Sequence, residues 1–273
     1  MRWLMEDMHP MIQQYFIEPD TDGAPINRIL RSVVYQRSKK SMDTVPYGTK
    51  FNVYRVGYEW IGHSLAAKNL DDINLGLRVW VGDPDCKQPY HASLLNISAM
   101  SFGALSSHAI MALNGGAKLG NFAHNTGEGG ISSYHLKYAG DLIWQIGTGY
   151  FGCRTVSGGF NKKLFAEKAI LPSVKMIEVK LSQGAKPGHG RVLPACKNTP
   201  EIAETRGVEA YTQINSPATH STFSTPIELL AFIQQLRDRY HYARVCISQR
   251  LAGYFSFLLA FMSCHYQSPS LLF

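Results

Sequence analysis

Polar and apolar residues alternate most cleanly from Val174 to Leu181, VKMIEVKL. Ile177, Val179 and Leu181 share one face of a strand, while Met176, Glu178 and Lys180 share the other. The run SQGAKPGHG (Ser182 to Gly190) follows, with enough glycine for backbone N–H groups to come close to an anion. Two readings fit. In a parallel barrel, Glu178 and Lys180 point inwards at the carboxyl end, where βα-loops build sites. In an edge strand, Lys180 is solvated and the glycine run is an ordinary turn.

The same patterning predicts about four strand–loop–helix units between Ala92 and Arg237. Leu94 to Met100, LLNISAM, is an apolar run of the kind buried on both faces of a sheet. Ser106 caps a helix with Ile110, Leu113 and Ala117 at helical spacing, and Leu119-Gly120 stops it. Phe122 to Asn125 and Asp141 to Gly147 read as the next strands. Thr126 to Gly130, TGEGG, lies between them as a loop that a ligand can approach closely. Asn161 caps NKKLFAEKA; Thr199-Pro200-Glu201 opens a helix ending at Arg206-Gly207; Thr225, Pro226 and Glu228 make a capping box ahead of Leu229 to Leu236. Alternation of this kind predicts parallel α/β structure, either a (β/α)8 barrel or a doubly wound sheet. Residues 1–90 read instead as an irregular arm, with a helix over Met8 to Ile17, a turn at Asp20 to Gly23 and an aromatic hairpin or extended stretch from Val45 to Trp60.

Composition narrows the function classes. At 273 residues, 45% hydrophobic and 17% charged, the chain is globular and long enough for a large core. Its net charge of +7 is scattered, with one short run from Arg37 to Lys40, so nucleic-acid binding has no basic stripe to support it. Neither G-x-G-x-x-G nor a Walker A run opens a helix. The five cysteines form no C-x-x-C pair, which leaves zinc and iron–sulfur clusters without a local ligand set and makes a reduced, cytoplasmic compartment the expectation. The most apolar stretch, Leu251 to Met262, is shorter than the ~20 residues a membrane span needs, and MRWLMEDMHP lacks a signal-peptide core.

Four motifs in order then carry a resemblance: SAMSFGALS (Ser98 to Ser106), HNTGEGG (His124 to Gly130), LIWQIGTGYFG around Gln145, and EVKLSQGAKPGHG (Glu178 to Gly190). Together they resemble the FMN-binding domain of the glutamate synthase family, in particular its stand-alone FMN-domain members, over about residues 9–237. The resemblance implies a (β/α)8 TIM-barrel fold, about the first half of it present as a partial FMN-binding barrel over 91–237. Residues 1–90 would be an arm packing on it, and 238–273 a divergent tail. It implies FMN as cofactor and an oxidoreductase that reduces the imine of 2-oxoglutarate and ammonia to L-glutamate.

Carried over by position, Ala99, Met100 and Ser101 would lie against the flavin, and Asn125 and Gln145 would hydrogen-bond its ring or ribityl chain. Glu128 would sit near the reacting centre. Lys180 would favour negative charge beside the flavin or hold a substrate carboxylate, and Gln183 and Arg206 would bind 2-oxoglutarate. These types suit the chemistry, because reduced flavin and a dicarboxylate are both anionic. Taken alone, Asn125 and Gln145 also fit as strand-end caps, and Arg206 as a residue serving its helix C-terminus. Met1-Arg2-Trp3 offers no N-terminal cysteine for glutamine hydrolysis, and the family's cluster cysteines are absent, so a separate electron donor is implied. No loop of the kind that grips the FMN phosphate is legible before Phe273, which predicts weak flavin retention. Two alternatives stay open: a non-catalytic half-barrel fragment, and an FMN oxidoreductase acting on another keto or imino acid.

Overall fold

The structure is a computed structural model that describes residues 28–41, 76–82, 88–181, 192–239 and 245–248, with 52, 54–57, 59, 62, 65–66, 68–72, 86 and 190 as shorter pieces. The chain divides into two compact units, Met1–Lys68 and Asn69–Phe273. In the first, helix α1 spans Arg28–Ser38. Its buried positions are Ser32 and Gln36, joined by a hydrogen bond from Gln36 Nε2 to Ser32 Oγ at 3.4 Å, while Leu30 and Val34 are exposed. Ile29, Leu30, Val33 and Val34 recur at helical spacing along it. The helix expected over Met8 to Ile17 lies outside the described residues, as does most of Val45 to Trp60.

The second unit is built on a parallel sheet. Strands β1 (Arg78–Val81) and β2 (Tyr90–Ser93) form an antiparallel hairpin. Strands β3 (His124–Asn125), β4 (Leu142–Ile146), β5 (Val174–Lys180) and β8 (Val245–Ser248) lie side by side in that order, all parallel. Ile97 adds a parallel bridge to His124 on the outer side of β3. Between these strands run α2 (Ser107–Gly120), α3 (Ser133–Leu136), α4 (Lys162–Ala169), α5 (Pro200–Arg206) and α6 (Pro226–Arg239). A small antiparallel pair, β6 (Val192–Leu193) and β7 (Ile214–Asn215), flanks α5. β8 lies past residue 237, where the resemblance read from the sequence stops.

Two expectations are corrected here. Leu94 to Met100 is not a strand buried on both faces: only Ile97 makes a ladder contact, and Leu94 and Leu95 are 63% and 70% exposed. The apolar run mimics a buried strand, but the regular hydrogen bonding falls on the preceding YHAS, which pairs back on β1. Lys180 is not on an edge strand, because β5 is paired on both sides, with β4 and with β8. The helix starts hold. Ser106 Oγ accepts from Ala109 N, Asn161 Oδ1 from Lys163 N and Leu164 N, and Thr225 Oγ1 from Glu228 N. α2 runs through Gly120, and Asn121 at φ 52° takes the left-handed cap position instead. A Cβ at Gly120 would meet the Phe122 ring.

The two faces of the sheet do different work. On the outer face, Leu142, Trp144, Ile146, Ile177 and Val179 pack against Phe165 and Ala169 of α4 and Phe232, Ile233 and Leu236 of α6. On the inner face, Ala123, Ile143 and Met176 meet Tyr90 and Ala92 of the hairpin. The next inner positions toward the carboxyl end are Asn125, Gln145, Glu178 and Lys180, since strand side chains alternate. The inner face is thus apolar where the hairpin covers it and polar at the strand ends.

Behind β3, the fully buried rings of His124 and His135 lie 5.3 Å apart. Burial pushes the pKa of each down to about 4, and the neighbouring His135 lowers His124 further. Their folded pKa values lie below the ordinary 6.5, so between about pH 6.5 and about pH 4 the unfolded chain binds more protons. Stability from the neutral pair is complete above that window and is lost as pH falls through it. Unfolding free energy measured by urea titration is expected to drop by about 1.4 kcal/mol per pH unit for each histidine. His124→Leu is expected to flatten that slope, and an unchanged slope in the variant would contradict the assignment.

Candidate functional site

The polar cluster at the carboxyl ends of β3, β4 and β5 centres on Glu178, which is 4% exposed. An ionised carboxylate only accepts hydrogen bonds, so any amide facing it must present its NH2. Two do. Asn125 Nδ2 donates to Glu178 Oε2, and Gln145 Nε2 donates to Glu178 Oε1 at 3.2 Å. Gln145 is the direct cross-strand partner of Glu178 in the β4–β5 register, which is why it reaches.

The carboxylate thereby sets the polarity of both amides. Asn125 turns its Oδ1 to the Gly127 N–H at 2.9 Å, closing the turn after β3. Gln145 turns its Oε1 away, and among the described residues that buried oxygen has no partner. A buried acceptor without a donor costs about 1–3 kcal/mol, which a ligand N–H or O–H would recover. Asn125 therefore caps the turn and joins the polar cluster as well, and Gln145 is not a cap.

Around this centre the loops close tightly. Lys180 Nζ lies 3.2 Å from Glu128 Oε2, with side-chain exposures of 13% and 3%. The two residues expected to act at the reacting centre, one from the loop after β3 and one from the end of β5, are thus brought together as a buried ion pair. A Cβ at Gly147 would fall 2.6 Å from Glu128 Oε2, and one at Gly127 would fall 3.0 Å from the Ser101 backbone nitrogen. These glycines let the three loops after Ile97, β3 and β4 touch.

The Ala99–Ser101 segment is held from behind. Met100 N donates to Asn125 O at 3.0 Å. His135 Nδ1 accepts from Ser132 N at 3.2 Å, so its Nε2–H donates to Met100 O at 3.1 Å. Ala99 is exposed, Met100 half-buried and Ser101 buried, with Ser101 Oγ unpartnered among the described residues.

Arg206 is 2% exposed. Its guanidinium stacks over Phe151 at 5.0 Å, donates from Nη2 to Phe102 O at 3.4 Å, and lies 3.3 Å from where a Gly129 Cβ would be. It packs against Gly129, so it touches the Thr126–Gly130 loop as well as ending α5. Gln183 lies outside the described residues. The sequence marks Glu178 only as inward-facing, and its signal is an acid two residues before Lys180 on one face. Tyr150 and His220, described below, had no such signal. Among the described residues no group of three or more His, Cys, Asp or Glu side chains is placed to hold a metal ion, and no helix is long and apolar enough to cross a membrane.

Residues 84–252 match the family model described as the conserved region in glutamate synthase. A glutamate synthase large subunit-like protein of Bacillus subtilis (strain 168) is 43% identical over 160 residues, 58% of this chain and 30% of that protein. An archaeal-type glutamate synthase [NADPH] of Dehalococcoides mccartyi is 33% identical over 156 residues, 57% of this chain and 28% of that protein. A large subunit-like protein of Rhizobium meliloti is 32% identical over 161 residues, 59% of this chain and 34% of that protein. The chain spans about a third of the length of these relatives.

Gly147→Ala is expected to push Glu128 off Lys180 and destabilise the protein by about 1–3 kcal/mol, as overpacking and a disturbed buried pair do. Gly116→Ala, in α2 with nothing within 4 Å of its Cβ, is expected to stabilise by about 0.5–1 kcal/mol. Chemical denaturation of both variants checks the pair. Equal effects would show that the contact with Glu128 is not what Gly147 serves.

Proposed function

The chain belongs to the glutamate synthase family, and from that premise we propose that its parallel sheet is part of a (β/α)8 barrel. We infer that the carboxyl-end cluster binds FMN and reduces the imine of 2-oxoglutarate and ammonia to L-glutamate. The strand order supports the barrel. Ile97, β3, β4, β5 and β8 follow one another in sequence without reversal. A barrel winds in one direction, while a doubly wound sheet turns back at a switch point.

The residues present fit the flavin ring. Gln145 Oε1 and Ser101 Oγ are buried polar atoms awaiting partners, and Gly127, Gly129 and Gly147 allow the closely packed loops that a flat ring needs beside them. Ala99, Met100 and Ser101 would lie along one side of the ring. Gln145 would accept from a ring N–H, and Asn125 would support the same edge through the Gly127 turn. Bound and reduced FMN supplies a hydride, which is the hard part of the chemistry.

The protein's own residues supply charge and protons. Lys180 holds a proton on Nζ beside Glu128 Oε2, and an incoming anion would share that ammonium. Saturating an imine carbon leaves its nitrogen in need of a proton, which this pair would deliver. Gln183 and Arg206 would meet the substrate carboxylates, Arg206 by its field through the Gly129 backbone. Electrons would come from a separate donor. The single observation that carries the proposal is the Lys180–Glu128 pair standing beside the Glu178-oriented amides at the strand ends.

Lys180→Met alone would remove the positive charge beside the buried Glu128 carboxylate and is expected to cost stability. The double variant Glu128→Gln/Lys180→Met removes both charges and is expected to fold like the parent. Its affinity for FMN or 2-oxoglutarate is expected to fall by about 2 kcal/mol, roughly thirtyfold, as judged by anaerobic flavin titration and by oxidation of reduced flavin on adding 2-oxoglutarate and ammonia. Parent-like behaviour in both assays would remove these residues from the site.

A further inference from the structure

Tyr150 is a bulky residue held at φ 49°, in the left-handed region that favours glycine, although its loop, TGYFG, has glycine on either side to spare. Such backbone strain persists where the side chain is needed. The Tyr150 ring is 1% exposed, and its hydroxyl makes three contacts: His220 Nδ1 at 3.0 Å, Thr222 Oγ1 at 2.9 Å and Thr222 N at 3.3 Å.

The direction of every proton in this group follows from its far end. His220 Nε2 lies 2.8 Å from the carbonyl oxygen of Lys180. A carbonyl only accepts, so Nε2 carries the hydrogen. In the neutral ring Nδ1 is then the acceptor, and Tyr150 O–H donates to it. The Tyr150 oxygen in turn accepts from Thr222 N–H and Thr222 Oγ–H. The chain runs one way, from Thr222 through Tyr150 and His220 to Lys180.

We propose that Thr222, Tyr150 and His220 form a positioning relay that ties the loop of residues 216–224 across the ends of β4 and β5 and, by gripping the Lys180 carbonyl, sets the Lys180–Glu128 pair. His220 is the positioning residue; it touches the Lys180 backbone, not its ammonium. The loop has a further anchor, Thr148 Oγ1 donating to Pro217 O at 2.6 Å. His220 is wedged edge-on to Tyr150 and stacked on Phe223 at 4.7 Å. Burial lowers the His220 pKa, while the Lys180 carbonyl and the Glu128 charge pull it up, so the ring is neutral near pH 7 and the order of donors is kept. The hydrogen-bond order rests on the contacts to the Lys180 carbonyl and to Thr222 N, with the ring neutral. Its consequence for catalysis rests on the site proposed above.

The test uses the full chain labelled with 15N-histidine. Long-range 1H–15N spectra near neutral pH are expected to show His220 as the neutral Nε2–H tautomer. A charged ring, or the Nδ1–H tautomer, overturns the relay whether or not flavin binds. The second arm reads Lys180 directly, as its rate of acetylation by acetic anhydride, followed by mass spectrometry against the exposed Lys162. Tyr150→Phe and His220→Leu are expected to raise that ratio about fivefold, the size of one neutral hydrogen bond. His220→Gln, which keeps an N–H for the Lys180 carbonyl, is expected to stay near the parent value. An unchanged ratio in a folded His220→Leu would overturn the positioning role. If His220→Leu does not fold, Tyr150→Phe, which removes only an oxygen atom, decides in the same way. Failure of FMN to bind would count against the proposed function and leave both readouts intact.

Discussion

A carboxylate taken out of water must be compensated by donors, and Glu178 is compensated by side-chain amides alone among the partners described: Asn125 from β3 and Gln145 from β4. That demand joins three adjacent strands through side chains at the same level where their backbones are already paired. It also fixes which end of each amide faces inwards, a choice that an isolated Asn or Gln leaves open. The turn at Gly127, the unpartnered Gln145 oxygen and the position of the loop carrying Glu128 all follow from it.

The rest of the unit keeps this cluster dry and in place. Outside the sheet, aromatic and aliphatic side chains from α4 and α6 bury the alternate residues of β4 and β5, so the strands cannot slip by one residue without exposing a core and burying a charge. Inside, the β1–β2 hairpin covers Ile143 and Met176 at the apolar end. At the polar end, glycines at 127, 129 and 147 bring the loops within van der Waals contact, where a single Cβ would force them apart. The Lys180–Glu128 pair is held by this crowding, with Lys180 fixed further through its own carbonyl.

Much of this was legible in the sequence. The alternation in VKMIEVKL placed Lys180 and Glu178 on one face, and helix caps at Ser106, Asn161 and Thr225 were read from local chemistry that tertiary structure does not override. The motif residues Asn125, Glu128, Gln145 and Lys180 come together at the carboxyl ends of the strands. What escaped had no local signal. Leu94 to Met100 is apolar, yet within it only Ile97 makes a ladder bridge. β8 is recognisable only by its long-range pairing with β5. His220 lies in a polar loop where nothing nearby marks it, since its partners are 40 and 70 residues away.

In the site proposed above, Glu178 orients Gln145 to receive a ligand N–H. Glu178→Gln is nearly isosteric but replaces one accepting oxygen by an NH2. Asn125 is pinned by Gly127, so Gln145 must flip and present its own NH2 to the ligand. The direct measurement is equilibrium dialysis of parent and Glu178→Gln against FMN and against its N3-methyl analogue. FMN affinity is expected to fall about tenfold or more in the variant while the methylated analogue loses far less, because only FMN has the N–H that meets Gln145. Equal affinities of parent and variant for FMN, or binding by neither, would contradict the account.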